Sequence, residues 1–127
     1  MRIFKIAQSL QNLRIEKENL PDRTRIYLID GDKRIGKLTI QYSEQYYTIT
    51  AFQINERLQG QGWGRKMMDE IINDPKFKDK PIIVDPAPYG GNIGSPEYMN
   101  SINGLREMYG KFGFKDFSGS YMIRENI

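Results

Sequence analysis

The residues best suited to chemistry lie in one short run, Gln59-Gly60-Gln61-Gly62-Trp63-Gly64-Arg65-Lys66. Three glycines alternate where an amphipathic helix begins, although a glycine inside a helix costs on the order of 1 kcal/mol against alanine. Arg65 and Lys66 follow in the first turn, where the helix dipole disfavours each cation by about 0.3–1 kcal/mol. Both departures have one mechanical explanation. Glycines let the backbone turn sharply and let a ligand approach the unpaired N–H groups of the helix start. Those groups attract an anion, above all a phosphate, and a bound phosphate would make the two cations favourable. The pattern is not a P-loop, because no Gly-Lys-Ser/Thr follows four spacer residues. It is not the dinucleotide fingerprint either, because the glycines run G-x-G-x-G. Short glycine patterns also occur as ligand-free turns, and that plainer reading stands beside the phosphate one.

The rest of the inventory narrows the chemistry. The 127 residues contain no cysteine and no histidine. Disulfides, thiolate nucleophiles, Cys/His zinc sites and serine–histidine triads are therefore excluded, and no metal is expected. Proton transfer falls to Asp, Glu, Tyr, Lys, a terminus or water. Nineteen basic and sixteen acidic residues give +3, too little to argue for a nucleic-acid partner without a dense basic patch. The N-terminal MRIFKIAQSL makes a poor signal peptide. No apolar run approaches the roughly 20 residues of a membrane helix. The expectation is a cytoplasmic chain with no membrane contact.

These residues need a scaffold, and the hydrophobic pattern supplies one for a single domain over 1–127. Segments 12–18, 24–30, 34–42 and 46–54 read as strands. Asp30-Gly31-Asp32 is a hairpin turn between the second and third. In 34–42, Leu38, Ile40 and Tyr42 face one way and Lys37, Thr39 and Gln41 the other. Residues 46–54 are β-branched, aromatic and nearly uncharged, as in a central buried strand. The period then changes. Trp63, Met67, Met68, Ile71 and Ile72 form a helical stripe that should stop near Asp74-Pro75. Segment 81–84 is a short apolar strand, parallel to its predecessor across that helix. Residues 86–96 read as a loop. Tyr98, Ile102, Leu105, Tyr109 and Phe112 mark a second helix, closed by Gly113. Segments 114–117 and 121–124 form a closing strand pair. The fold class is α/β or α+β, with helices packed on a sheet and one central β-α-β unit.

The segment from Ile54 to Ile72 resembles the acyl-CoA-binding motif of the GNAT superfamily of N-acetyltransferases, Arg/Gln-x-x-Gly-x-Gly/Ala, with Gln59, Gly62 and Gly64 in its places. Tyr109-Gly110-Lys111-Phe112-Gly113-Phe114 resembles a second signature of that family, a tyrosine shortly before Gly-Phe. The resemblance covers roughly residues 24–124 and implies a mixed, mostly antiparallel GNAT-like sheet and acetyl-CoA as cosubstrate. It implies that the backbone of Phe52, Gln53 and Ile54 pairs with the pantetheine arm. The N–H groups of Gln59, Gly60, Gln61, Gly62, Trp63 and Gly64 would cradle the pyrophosphate, with Arg65 near the phosphates. Tyr109 would protonate the departing CoA thiolate after direct attack by an amine in a ternary complex.

Each role has a plainer counterpart. Tyr109 sits on an apolar helical face, where aromatics usually serve packing. Trp63 reads as a core anchor, and Phe112 and Phe114 as core. Asp85, at the end of segment 81–84, is the candidate general base, yet Asp beside proline commonly caps a loop. Water held by Thr48, Thr50 or Gln53 is an alternative base. Tyr89 and Tyr98 are candidate acceptor contacts in or beside the 86–96 loop. The chain also departs from the family. Many members carry an asparagine seven residues before the tyrosine; Ile102 holds that place and Asn103 stands beside it. The helical segment between the family's first two strands has little room, since only about twenty residues precede the strand at 24. The acceptor pocket is therefore expected to be open, or completed by a second copy in a homodimer. Two rivals remain: an inactive CoA-binding module of the same fold, and a small basic nucleic-acid-binding domain. The acceptor amine itself, a protein or a small molecule, is not legible.

Overall fold

The computed structural model describes residues 13–55, 58, 60–86 and 96–125, with the backbone alone over 96–102. Its described strands are β1 (Leu13–Asn19), β2 (Arg23–Asp30), β3 (Lys33–Tyr42), β4 (Tyr47–Ile54), β5 (Ile82–Val84), β6 (Lys115–Asp116) and β7 (Met122–Arg124). The helices are α1 (Trp63–Ile72) and α2 (Pro96–Lys111), with a 3-10 turn at Pro75–Phe77. The strands form one sheet in the order β1-β2-β3-β4-β5-β7-β6. Only β4 and β5 run parallel, as the expected crossover through α1 requires.

The meander follows from local chemistry. Gly31, at φ 64, closes the β2–β3 hairpin, with Asp30 opposite Lys33. Residues 20–22 carry β1 straight into antiparallel β2, so no helix separates those strands. The cross-strand partners Ile26–Leu38, Thr24–Ile40 and Leu28–Gly36 define one face of the sheet. Ile26, Leu28, Leu38 and Ile40 are fully buried there under Met67, Met68 and Ile71 of α1. Each such side chain contributes roughly 1.5–3 kcal/mol of hydrophobic stabilisation. Lys17 of β1 ties down the end of α1 through Asp74 Oδ2 (3.0 Å) and the Glu70 carbonyl (3.1 Å).

Two register shifts interrupt the alternation. In β3, Gly36 is opposite Leu28 but Arg34 is opposite Ile29, so Ile35 is an extra residue. In β4, Ala51 is opposite Thr39 but Ile49 is opposite Ile40, so Thr50 is extra. A bulge moves every later side chain to the other face. In β4 it turns Phe52 and Ile54, rather than Ala51 and Gln53, toward the helices. Segment 46–54 is central, as expected, but not uniformly buried: Thr50 and Gln53 are exposed. Side chains of both described helices join the same hydrophobic cluster, Met67, Met68 and Ile71 from α1 and Tyr109 from α2.

Candidate active site

The site begins where β4 loses a neighbour. The last β4–β5 pair is Ile49 with Val84. Beyond it β4 continues to Ile54 with β3 on one side and, among the described residues, no strand on the other. Asp85 directly follows that last pair and is exposed, so it stands at the point where the strands part. The Asn55 N–H bonds the Ile35 carbonyl (2.8 Å) of β3. Peptide groups alternate in direction along a strand, so those of Gln53 also face β3 and those of Phe52 and Ile54 turn to the vacated edge. Of the three residues implied for the pantetheine pairing, Gln53 thus turns its peptide to β3 instead.

The glycine run meets this edge. Gly60 and Gly62 adopt φ 81 and 89, values that L side chains rarely reach. Gly62 is the N-cap of α1 and offers no side-chain cap, and the first turn holds no acidic residue. The first helical bond is Lys66 N–H to the Gly62 carbonyl at 3.1 Å. The N–H groups of Trp63, Gly64 and Arg65 therefore have no carbonyl within the helix. Gly64 brings the helix against β4: a Cβ there would stand 3.2 Å from Ile54 Cδ1 and 3.5 Å from Phe52 Cζ. Gln61 is exposed. Gln59 lies outside the described residues.

Phe52, Ile54, Gly60, Gly64, Leu105 and Met108 line a cavity of about 330 Å³ at this junction. Its floor is apolar and its rim is the helix start, a combination suited to a chain with an anionic end. Leu105 was legible as part of an apolar stripe but not as a site residue, and Met108 carried no signal. Their place depends on how α2 crosses the sheet.

Tyr109 is buried at 4% exposure, with its ring 6.4 Å from Phe52 and 5.5 Å from Phe114. Its surroundings explain the Tyr-Gly-Lys-Phe-Gly-Phe spacing. Phe114 N–H bonds the Tyr109 carbonyl (3.1 Å) and Gly113 N–H bonds the Gly110 carbonyl (3.1 Å), with Gly113 at φ 93. This is the Schellman ending, whose hydrophobic contact is the Tyr109–Phe114 ring pair. Tyr109 is therefore a packed residue that also abuts Phe52, a wall of the cavity.

The cations of the first turn have neighbours of their own. Arg65 lies 5.7 Å from the Phe112 ring and Lys66 4.3 Å from the Trp63 ring, contacts that stabilise them by about 0.5–1 kcal/mol each. No ion pair joins them to Asp69 or Glu70 among the described residues. Trp63 is partly buried against the core, the anchoring role expected of it. Asn103 is exposed on α2. Tyr89 and the side chains of Tyr98 and Ile102 lie outside the described residues.

No protein-family model matches the chain, nor does any curated protein. Solved structures do. One is Escherichia coli ElaA, with TM-score 0.64 and 19% identity over 84% of this chain and 70% of that one. Another is a GNAT-family acetyltransferase from Elizabethkingia anophelis with acetyl-CoA bound, with TM-score 0.61 and 14% identity over 90% of this chain and 98% of that one. A third, assigned to the same family and from Bacteroides thetaiotaomicron, has TM-score 0.53 and 17% identity. The chain has the GNAT acetyltransferase fold. It spans 65% of the longer Bacteroides protein, while 87% of its own length is covered. The GNAT-like sheet expected from the two motifs is thus present, with its β4–β5 split and the glycine run beside it. No described helix is long and apolar enough to cross a membrane.

Proposed function

We propose that the protein is an acyl-CoA-dependent N-acyltransferase that passes an acetyl group from acetyl-CoA to a primary amine. The observation that carries this reading is the cavity at the β4–β5 split, apolar along Phe52, Ile54, Leu105 and Met108 and ending at the uncapped start of α1. A pantetheine arm fits the apolar part and adds to the edge of β4 beyond the β5 pairing through the Phe52 peptide. The pyrophosphate meets the N–H groups after Gly62, where an anion is favoured. Arg65 stands in the same turn.

The amine attacks the thioester carbonyl, the C–S bond breaks, and the thiolate leaves with the electron pair. Tyr109, against Phe52, is the group assigned to protonate it. Asp85, at the parting of the strands, is the group assigned to take the proton lost by the amine. General acid or base help of this kind is worth about 10²–10⁴-fold. Calorimetric titration with acetyl-CoA, followed by thiol release across a panel of primary amines, tests the reading. Saturable binding and turnover are expected. Binding without turnover on any amine would favour the inactive CoA-binding module, and no binding at all would refute the site.

A further inference from the structure

A second cavity, of about 590 Å³, lies on the other side of β4. Its described lining includes Arg25, Tyr27, Arg34, Lys37, Gln53 and Ile54. It carries three cations and no carboxylate among those residues. Arg34 and Lys37 form no ion pair among the described residues, and Arg25 reaches Glu18 only at 3.4 Å.

The bulge in β3 assembles this charge. By strict alternation from Lys37, Arg34 would project to the helix side with Gly36 and Leu38. The extra residue Ile35 places Arg34 opposite Ile29 instead, on the side of Tyr27 and Lys37. There its guanidinium lies 4.0 Å from the centre of the Tyr27 ring. Tyr27 is buried at 7% exposure, so this platform is held firmly. A guanidinium held over a ring still has N–H groups to offer a carboxylate or a phosphate, which it binds as a two-pronged fork. Gln53 adds a neutral hydrogen-bonding group.

The cavity also has a fixed relation to the split. Ile54 lines both cavities. Gln53 stands four positions beyond Ile49, the last residue of β4 paired with β5. With one of those positions a bulge, that is roughly 10 Å along the strand.

We propose that this cavity anchors the acceptor, and that the acceptor is an amine bearing a carboxylate or phosphate group roughly 10 Å from the reacting nitrogen. The acceptor role, unlike the anion site, rests on the acyltransferase reading above. NMR of the CoA-saturated full chain, titrated separately with glutarate and with inorganic phosphate, tests the anion site. Saturable shifts of the Arg25 and Arg34 side-chain N–H signals and of the Gly36 and Gln53 amides are expected. The anion that binds more tightly identifies carboxylate or phosphate as the natural group. Arg34→Gln and Lys37→Gln should each weaken that binding about tenfold, the loss of one charge-assisted contact, with Tm and CoA affinity kept. No saturable shift with either anion, equal shifts with neutral glutaramide, or full affinity in both variants would overturn the site. For the acceptor role, amines bearing a carboxylate or phosphate should exceed their neutral counterparts about tenfold in kcat/KM, a preference lost in Arg34→Gln. Equal rates overturn the role. Absence of turnover on every amine, with the anion shifts intact, overturns the acyltransferase reading and leaves the anion site standing.

Discussion

Replacing Gly64 with glutamate separates the fold from the ligand site. The Cβ would lie 3.2 Å from Ile54 Cδ1 and 3.5 Å from Phe52 Cζ, so the end of one flexible side chain must yield by a few tenths of an ångström. Against that cost stand the better helix propensity of glutamate, roughly 0.5 kcal/mol or more over glycine, and a carboxylate in the first turn, about 0.3–1 kcal/mol. Net stability should change by less than about 1 kcal/mol. The consequence for CoA is larger. A carboxylate about 5 Å from a pyrophosphate charge costs about 3 kcal/mol at an effective dielectric of about 20, which is roughly a hundredfold in Kd. Calorimetry with CoA and thermal unfolding by circular dichroism read the two effects separately. Gly64→Gln has similar bulk without charge and should bind CoA more tightly than Gly64→Glu. If Gly64→Glu binds CoA within about twofold of the parent, the phosphate does not lie at this helix start.

Tyr109→Phe keeps the Phe114 and Phe52 ring contacts, so turnover should fall by about 10²-fold or more with CoA affinity and Tm nearly constant; unchanged turnover removes its acid role. Burial, aided by a bond to Asp79 Oδ1 (2.5 Å), pushes the Tyr47 hydroxyl up to about 12 from 10.0. The folded state therefore holds this proton more tightly than the unfolded chain. Its stabilisation is complete below pH 10 and is lost as pH rises toward 12, and urea melts of Tyr47→Phe should lack that alkaline decline. Ile71, fully buried beneath the sheet, should cost about 2–5 kcal/mol on replacement by alanine, lowering Tm by roughly 10 °C; a shift of only a degree or two would contradict its place in the core.

Much of the scaffold is written locally. The meander, the Asp30-Gly31-Asp32 hairpin, the α1 stripe and the Gly113 ending all depend on neighbours within a few residues. Their observed bounds differ from the expected ones by only a residue or two at most strand ends and at the end of α1. The two motifs were legible for the same reason, since each is a backbone conformation demanded by glycine. Three features of the site were not legible. Gln53 was taken with Phe52 and Ile54, yet the bulge at Thr50 sends its peptide to β3. Arg65 and Lys66 suggested an absent anion, yet aromatic rings already house part of their charge. Leu105 and Met108 belonged to α2 and gave no hint of the glycines they face.

The sequence by itself determined which segments pair or coil, where the chain must turn through positive φ, and that neither cysteine nor histidine takes part. Only the tertiary structure decided that β7 inserts between β5 and β6, that β4 parts from β5 after Ile49, and that Arg34 joins Lys37 on the Tyr27 side. The physical reason lies in register. An extra residue such as Ile35 or Thr50 has no signature of its own. It becomes a bulge only when the partner strand is fixed by burial on its other face, and from there it decides which side chains meet.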